Sequence, residues 1–177
     1  VRDLPQEDAL RGARNAKATL EAGFTTVRNV GASDFSDIAL RNMIREGVVP
    51  GPRIVAAANA IGITGGHCDT NGYRPGILEG DPENGVADGA AEIVKAVRYQ
   101  VKHGADVIKT CATGGVLSEG DAVGVQQYDD EELKVLVGEA HLTGRKVAAH
   151  AHGAEGIKAA LRAGVDSIEH GSMTDDE

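Results

Sequence analysis

The chain has 177 residues, enough for one domain with a real core. Its formal net charge of -9 comes from 27 acidic against 18 basic side chains, and no basic stripe interrupts them, which argues against a nucleic-acid backbone as partner. Hydrophobic residues make up 41% and charged residues 25%, as in an ordinary globular protein, and no run of about 18 apolar residues is present to span a membrane.

Taken in chain order, the pattern alternates helix and strand. Pro5, followed by Gln6, Glu7 and Asp8, reads as a helix start, with the acids at the positive end of the helix dipole. Ala9, Leu10, Ala13, Ala16 and Leu20 form its expected buried stripe, and Gly23 ends it. A strand is expected over Thr25–Asn29. Ser33 or Asp34 then caps a helix through Ile38, Leu40, Met43 and Ile44, stopped by Gly47. Arg53–Ala58 is a second strand. A Gly-rich loop runs from about Asn59 to Asn84, and Val86–His103 is a helix. Ala105–Thr110 is the third strand, and a second Gly-rich loop covers Thr113–Gln127. Acids at Asp129, Asp130, Glu131 and Glu132 open a helix through Leu133, Leu136, Val137 and Ala140. Lys146–Ala149 is a strand, Ala154–Ala163 a helix and Val165–Glu169 a strand. Loops after strands are long and turns after helices short, as in a β/α barrel with function built on one rim.

Two architectures fit this alternation: a doubly wound open sheet or part of a closed barrel. No Gly-x-Gly-x-x-Gly follows the first strand and no phosphate loop is present. Gly62-Ile63-Thr64-Gly65-Gly66 precedes no clear helix. Ionisable residues at successive strand ends favour the barrel. Since a complete eight-unit barrel needs roughly 200–250 residues, the expectation is α/β, a partial (β/α)8 TIM barrel over residues 1–177. Val1 is not an initiator Met, so the true N-terminus is expected upstream. No signal or transit peptide opens the chain, and a soluble protein, cytoplasmic or exported, is expected. Cys68 and Cys111 make no disulfide framework and are expected as free thiols.

The chemistry gathers at strand ends. His150-Ala151-His152 places two imidazoles on one side of an extended segment, and His170 stands at the next strand end. Imidazole is a common ligand of zinc and similar ions. A lone His is more often a cap or a solvated residue, but three at two adjacent strand ends favour a metal. Glu169 points to the opposite side of its strand, toward a structural partner. Lys109 ends a strand of Val107 and Ile108, where a buried ammonium is costly. A desolvated lysine is nucleophilic and can form a Schiff base, or it can take up carbon dioxide and become an anionic carbamate. The two later His favour the carbamate, because a Schiff-base lyase has no need of them. A non-catalytic small-molecule-binding β/α domain remains the rival from another class.

The stretches Thr25–Gly31 (TTVRNVG), Gly51–Ile54 (GPRI), Thr64–Asp69 (TGGHCD), Val107–Lys109 (VIK), His150–Gly153 (HAHG) and Gly164–Gly171 (GVDSIEHG) together resemble the amidohydrolase superfamily. The resemblance lies with its imidazolonepropionase-related branch, which includes metal-dependent dipeptidases and carboxypeptidases acting on Xaa-Pro, Xaa-Arg or Xaa-Lys. It implies a hydrolase of C–N bonds, with a carboxylated Lys109 and the metal ligands His150 and His170. It also implies two zinc ions in a complete site, and His67, His152 and Arg74 toward the substrate, a small amide or dipeptide. His67 and Arg74 would hold a substrate carboxylate. The His-x-His pair of the family's first strand and the catalytic Asp of its eighth are not in this sequence. Strands two to six are therefore expected here, with the first, seventh and eighth absent. A barrel piece with unpaired edges is expected to self-associate, as a homo-oligomer or otherwise, and to be a poor catalyst alone.

Overall fold

The computed structural model describes residues 4–176, and the expectations that concern Val1 and Glu177 lie outside them. The first helix, α1 (Pro5–Glu21), begins with Pro at its first turn, and Glu7 reaches back to accept the Leu4 N–H at 2.9 Å. Of its expected apolar stripe only Ala16 is buried, while Leu10 is 74% exposed. The reason is packing. The helix lies against α2 (Ser36–Arg45), but Asp8, Ala9, Asn15 and Thr19 border an open groove of about 450 Å3 shared with the next strand.

That strand, β1 (Thr26–Asn29), pairs in parallel with β2 (Arg53–Ala56), in a register that sets Val27 against Ile54. Between them, a 3-10 turn at Ser33–Phe35 precedes α2. Asp34 and Phe35 both sit in the left-handed region, with φ of 54° and 56°. Phe35 packs on Tyr99 and His103 of the next helix region, which gives that backbone a tertiary reason.

The helix α3 (Gly89–Lys102) starts three residues later than the pattern suggested. Val86 and Ala87 are instead drawn into the sheet, where the Ala87 N–H donates to the Gly62 carbonyl at 2.9 Å. Then follow β3 (Val107–Cys111), α4 (Asp130–Leu142), β4 (Lys146–Gly153), α5 (Ala154–Ala163) and β5 (Ser167–Met173). The α4 start is a reciprocal cap: Asp129 accepts from the N–H groups of Glu131 and Glu132, and Glu132 accepts from Asp129.

β3, β4 and β5 form a parallel sheet in that order. The Asp106 N–H donates to the Ala56 carbonyl at the end of β2 at 2.7 Å, and a parallel bridge joins Ile61, in the loop after β2, to Thr110, with the Ile61 N–H on the Lys109 carbonyl at 2.8 Å. The chain therefore curves through five parallel strands with helices outside, the architecture of part of a barrel. Side chains facing the helices, among them Ile54, Ile108, Val147 and Ala149, belong to the main core with Ile93, Leu133 and Leu136. Ala57, Val107 and Ala148 form a small second cluster on the inner face. Those small residues leave the inner face free for larger polar groups nearer the strand ends.

Two strands run on past their expected ends. β4 continues through His150 and His152, because Ala112 donates to the His150 carbonyl at 2.9 Å and Thr113 Oγ1 accepts the His152 N–H at 3.0 Å. β5 reaches Met173, with a register shift opposite Ala151–Gly153. The expectation of free thiols is corrected: Cys68 and Cys111 form a disulfide, with Cα atoms 5.9 Å apart across 43 positions of sequence. The loop after β2 folds back over the end of β3 and brings them together. Gly62 permits the approach, since a Cβ there would lie 2.7 Å from that of Cys68.

Candidate metal centre

Alternation along a strand puts every second side chain on the inner face. On β3 this selects Val107, Lys109 and Cys111, and on β4 Ala148, His150 and His152. Lys109 is 6% exposed and His150 3%. Burial, aided by the positive charge of Arg28 and opposed by Glu169, pushes the Lys109 ammonium down to about 8. Burial also pulls the His150 imidazole down to about 3, with His67, Lys109, His170 and His152 adding to the effect. His150 is therefore neutral at pH 7, the form in which imidazole binds a metal.

Four imidazoles surround this point. The His150 ring centroid lies 4.1 Å from His67, 4.7 Å from His152 and 4.7 Å from His170. His152 and His170 stack at 5.0 Å, and Ser172 Oγ holds His152 Nδ1 at 2.6 Å. His170 reaches the group because its backbone is left-handed, with φ of 73°. That twist breaks the alternation of β5, so Glu169 and His170 both interact with inner-face groups. Glu169 accepts from Arg28 at 2.7 Å and from Ser167 at 2.8 Å, and it is the carboxylate that favours the charged form of Lys109. Its structural partner is thus on β1, across the enclosed face.

One atom decides how the donor set is read. His150 Nε2 is buried with no hydrogen-bond partner among the described residues. A buried polar atom left unmatched is costly and calls for an explanation, a bound ion being one. Among the described residues no three His, Cys, Asp or Glu side chains converge as a metal cage by themselves. The imidazoles of His150 and His170 and a deprotonatable amine nevertheless suit a divalent ion, provided the amine becomes an anionic oxygen donor.

His67 comes from the loop after β2, and its backbone N–H donates to Gln127 Oε1 at 3.1 Å. Its ring Nδ1 lies 2.8 Å from Ser118 Oγ, and burial lowers its proton affinity. A cavity of about 380 Å3 opens beside it, lined by His67, Asp69, Asn71, Leu117, Ser118 and Glu119. Arg74 stands exposed further along the same loop and does not line that cavity. The structure thus gathers Lys109, His67, His150, His152 and His170, and leaves Arg74 outside. Sequence reasoning passed over Ser118, Asp121 and Gln127, whose spacing carries no periodic or metal-type signal.

The model of the amidohydrolase family matches residues 3–177. Ochratoxinase of Aspergillus niger is 37% identical over 186 residues, which cover 98% of this chain and 38% of that protein. A crystal structure of a Xaa-Pro dipeptidase with methionine bound in its active site superposes with a TM-score of 0.94 at 45% identity, over 99% of this chain and 44% of the other. The crystal structure of A. niger ochratoxinase superposes with a TM-score of 0.85 at 35% identity, over 98% of this chain and 43% of the other. The chain belongs to the amidohydrolase family. It spans less than half the length of these relatives.

Proposed function

We propose that the protein is a metal-dependent hydrolase of C–N bonds, amide or peptide, of the dipeptidase or carboxypeptidase kind. The observation that carries this reading is the unpartnered His150 Nε2, buried among three further imidazoles beside an amine of lowered pKa. Similarity to a Xaa-Pro dipeptidase and to ochratoxinase supports the substrate class, a small amide or dipeptide. In this reading Lys109, His150 and His170 hold the ion, zinc, with two per complete site. Lys109 serves as a carbamate: its neutral amine adds to carbon dioxide, forms an N–C bond and releases one proton. An ion held there supplies Lewis-acid polarisation of the scissile carbonyl.

The chain's own groups do the rest. His67 and His152 face the substrate, with His152 oriented through Ser172. Arg74 would reach a substrate carboxylate from its exposed loop by a paired contact. Glu169 and Arg28 brace the inner face behind Lys109. Proton transfer to the leaving nitrogen falls to a carboxylate on another strand. Residues 1–177 accordingly form strands two to six of an eight-stranded barrel, and further strands cover the outer edges of β1 and β5. The assembled protein is a homo-oligomer in this reading. Among the described residues no helix is long and apolar enough to cross a membrane.

The test is metal content and dipeptide hydrolysis of the full chain, beside those of His150→Ala. Stoichiometric zinc with hydrolysis, both lost in the variant, is the expected result. Borohydride trapping of a carbonyl substrate on Lys109 in a metal-free, active protein would replace this reading with a Schiff-base lyase.

A further inference from the structure

Residues 65–71 carry His67 and are tied to the rest of the protein at few points. Most of their hydrogen bonds are local. The Gly65 N–H donates to Asp69 Oδ2 at 2.8 Å, the Gly66 N–H to the Ile63 carbonyl at 3.0 Å, and Asn71 Nδ2 to the Gly66 carbonyl at 2.8 Å. Two reach the loop after β3: the His67 N–H donates to Gln127 Oε1 at 3.1 Å, and His67 Nδ1 lies 2.8 Å from Ser118 Oγ. Gln127 and Ser118 both donate in turn to the Asp121 carboxylate, so these contacts fasten one loop to another. Among the described residues, the one bond from residues 65–71 to a strand is Cys68–Cys111. It adjoins His67, whose ring centroid is 4.1 Å from that of His150.

The two sulfurs differ in access. Cys111 is 3% exposed at the end of β3, whereas Cys68 is partly exposed in its loop. Thiol–disulfide exchange begins with attack of an outside thiolate on one sulfur, and access decides which. Opening the bond leaves the sheet standing. Ile61 keeps its two backbone bonds to β3, to the Lys109 carbonyl at 2.8 Å and from the Cys111 N–H at 3.0 Å. Gly62 keeps those with Gly85 and Ala87, both at 2.9 Å, and the Thr64 hydroxyl stays on Asp88 at 2.6 Å. What then holds His67 is hydrogen bonding between two loops, which opens more readily than a covalent tie to a buried strand.

We propose that Cys68–Cys111 is an exchange site for a protein dithiol, and that its opening frees the segment that places His67. A thiolate of the dithiol attacks Cys68 Sγ. The bond between the two sulfurs breaks, and Cys111 leaves with the electron pair and takes up a proton. The second thiol of the reductant then attacks the mixed disulfide and releases Cys68, which takes up the other proton. Two electrons pass to this protein, two thiols appear on it, and the dithiol becomes a disulfide. The reduced and oxidised forms differ in the freedom of residues 65–71, and β3 is the same in both. The effect on hydrolysis rests on the reading of this site as a hydrolase of C–N bonds, and the exchange itself does not.

The test treats the oxidised full chain with dithiothreitol under native conditions, alkylates it with iodoacetamide and maps the labelled peptides by mass spectrometry. Cys68 is expected to take label first, and Cys111 more slowly as the loop moves off it. Glutathione in place of dithiothreitol is expected to leave its adduct on Cys68. Hydrogen exchange of the reduced protein should lose protection in residues 65–71, keep it in β3 and β4, and recover on reoxidation. Cys68→Ser, checked for folding by circular dichroism, should show the loose segment from the outset and no response to dithiothreitol. Cys68 that takes label only in urea overturns the proposal. So do a glutathione adduct on Cys111 alone, an unchanged segment once both thiols have reacted, and a response that survives in folded Cys68→Ser. Dipeptide hydrolysis, assayed after the reductant is removed and metal content is matched, is expected to fall on reduction and return on reoxidation. Equal hydrolysis in both forms overturns the link to the site. No hydrolysis in either form overturns the hydrolase reading instead, while labelling and hydrogen exchange decide the exchange site on their own.

Discussion

Arg28 and Glu169 stand 141 positions apart in the chain and 2.7 Å apart in space. They join the first strand of the structure to the last, and Ser167 bonds to both. Burial works against the Glu169 carboxylate, but hydrogen bonds from Ser167 and Arg28 hold its pKa below the usual range. Glu169→Gln is expected to cost about 1–2 kcal/mol in urea unfolding of the full chain at pH 7, between the values for exposed and buried pairs. Because the folded pKa is the lower one, this stabilisation is complete above the unfolded value and fades as pH falls through the folded value. The gap between wild type and variant should therefore close below about pH 4. A gap that persists unchanged on acidification would count against the ion pair.

Lys109→Ala is expected to lose metal, and short carboxylates added to the medium should restore part of the activity by standing in for the carbamate oxygens. Electron density at Lys109 Nζ in a metal-loaded, bicarbonate-supplied crystal is the direct check. A bare ammonium beside full metal occupancy would refute the carboxylated lysine.

The imidazole group sets an acid limit on the metal-free protein. Burial lowers the proton affinity of His67, His150 and His152, with His150 at about 3. The unfolded chain binds protons below about pH 6.5, and the folded group resists them. Stability is then full above pH 6.5 and declines as pH falls, for His150 by up to about 1.4 kcal/mol per pH unit down to about 3. Replacing the buried, unmatched imidazole in His150→Phe should flatten this decline and raise metal-free stability by about 1 kcal/mol. Denaturant midpoints at several pH values measure both.

The Cys68–Cys111 bond closes a loop 43 residues long. The paired replacement by serine is expected to cost about 2–4 kcal/mol in denaturant unfolding of the full chain. It should also loosen His67, which precedes Cys68, and raise hydrogen exchange in the loop after β2. Unaltered stability would show that the two thiols are not bonded in solution.

Much of this protein is legible without coordinates. Gly23, Gly104, Gly144 and Gly164 end helices or the turns after them, and all adopt positive φ. The strand residues Val107, Ile108, Val147 and Ile168 announce a buried parallel sheet. Period-two alternation alone puts His150 beside His152, and the motif TTVRNVG through GVDSIEHG carries the family. These features are local, since they depend on residues within a few positions of each other. What the sequence could not settle depends on where distant segments meet. The Cys68–Cys111 bond needs the loop after β2 to fold over β3. The exposure of Leu10 depends on what packs against α1. His170 joins His150 only through the left-handed turn at its own backbone, which propensity disfavours for that residue. The circuit of Ser118, Asp121 and Gln127 around His67 is assembled from two loops, and loop contacts leave no period in a sequence. Residue types and spacing therefore determined the barrel strands and the imidazoles they carry. Only the closure of the chain decided which of those groups touch, because contact between segments 40 to 140 positions apart is a property of packing and not of local pattern.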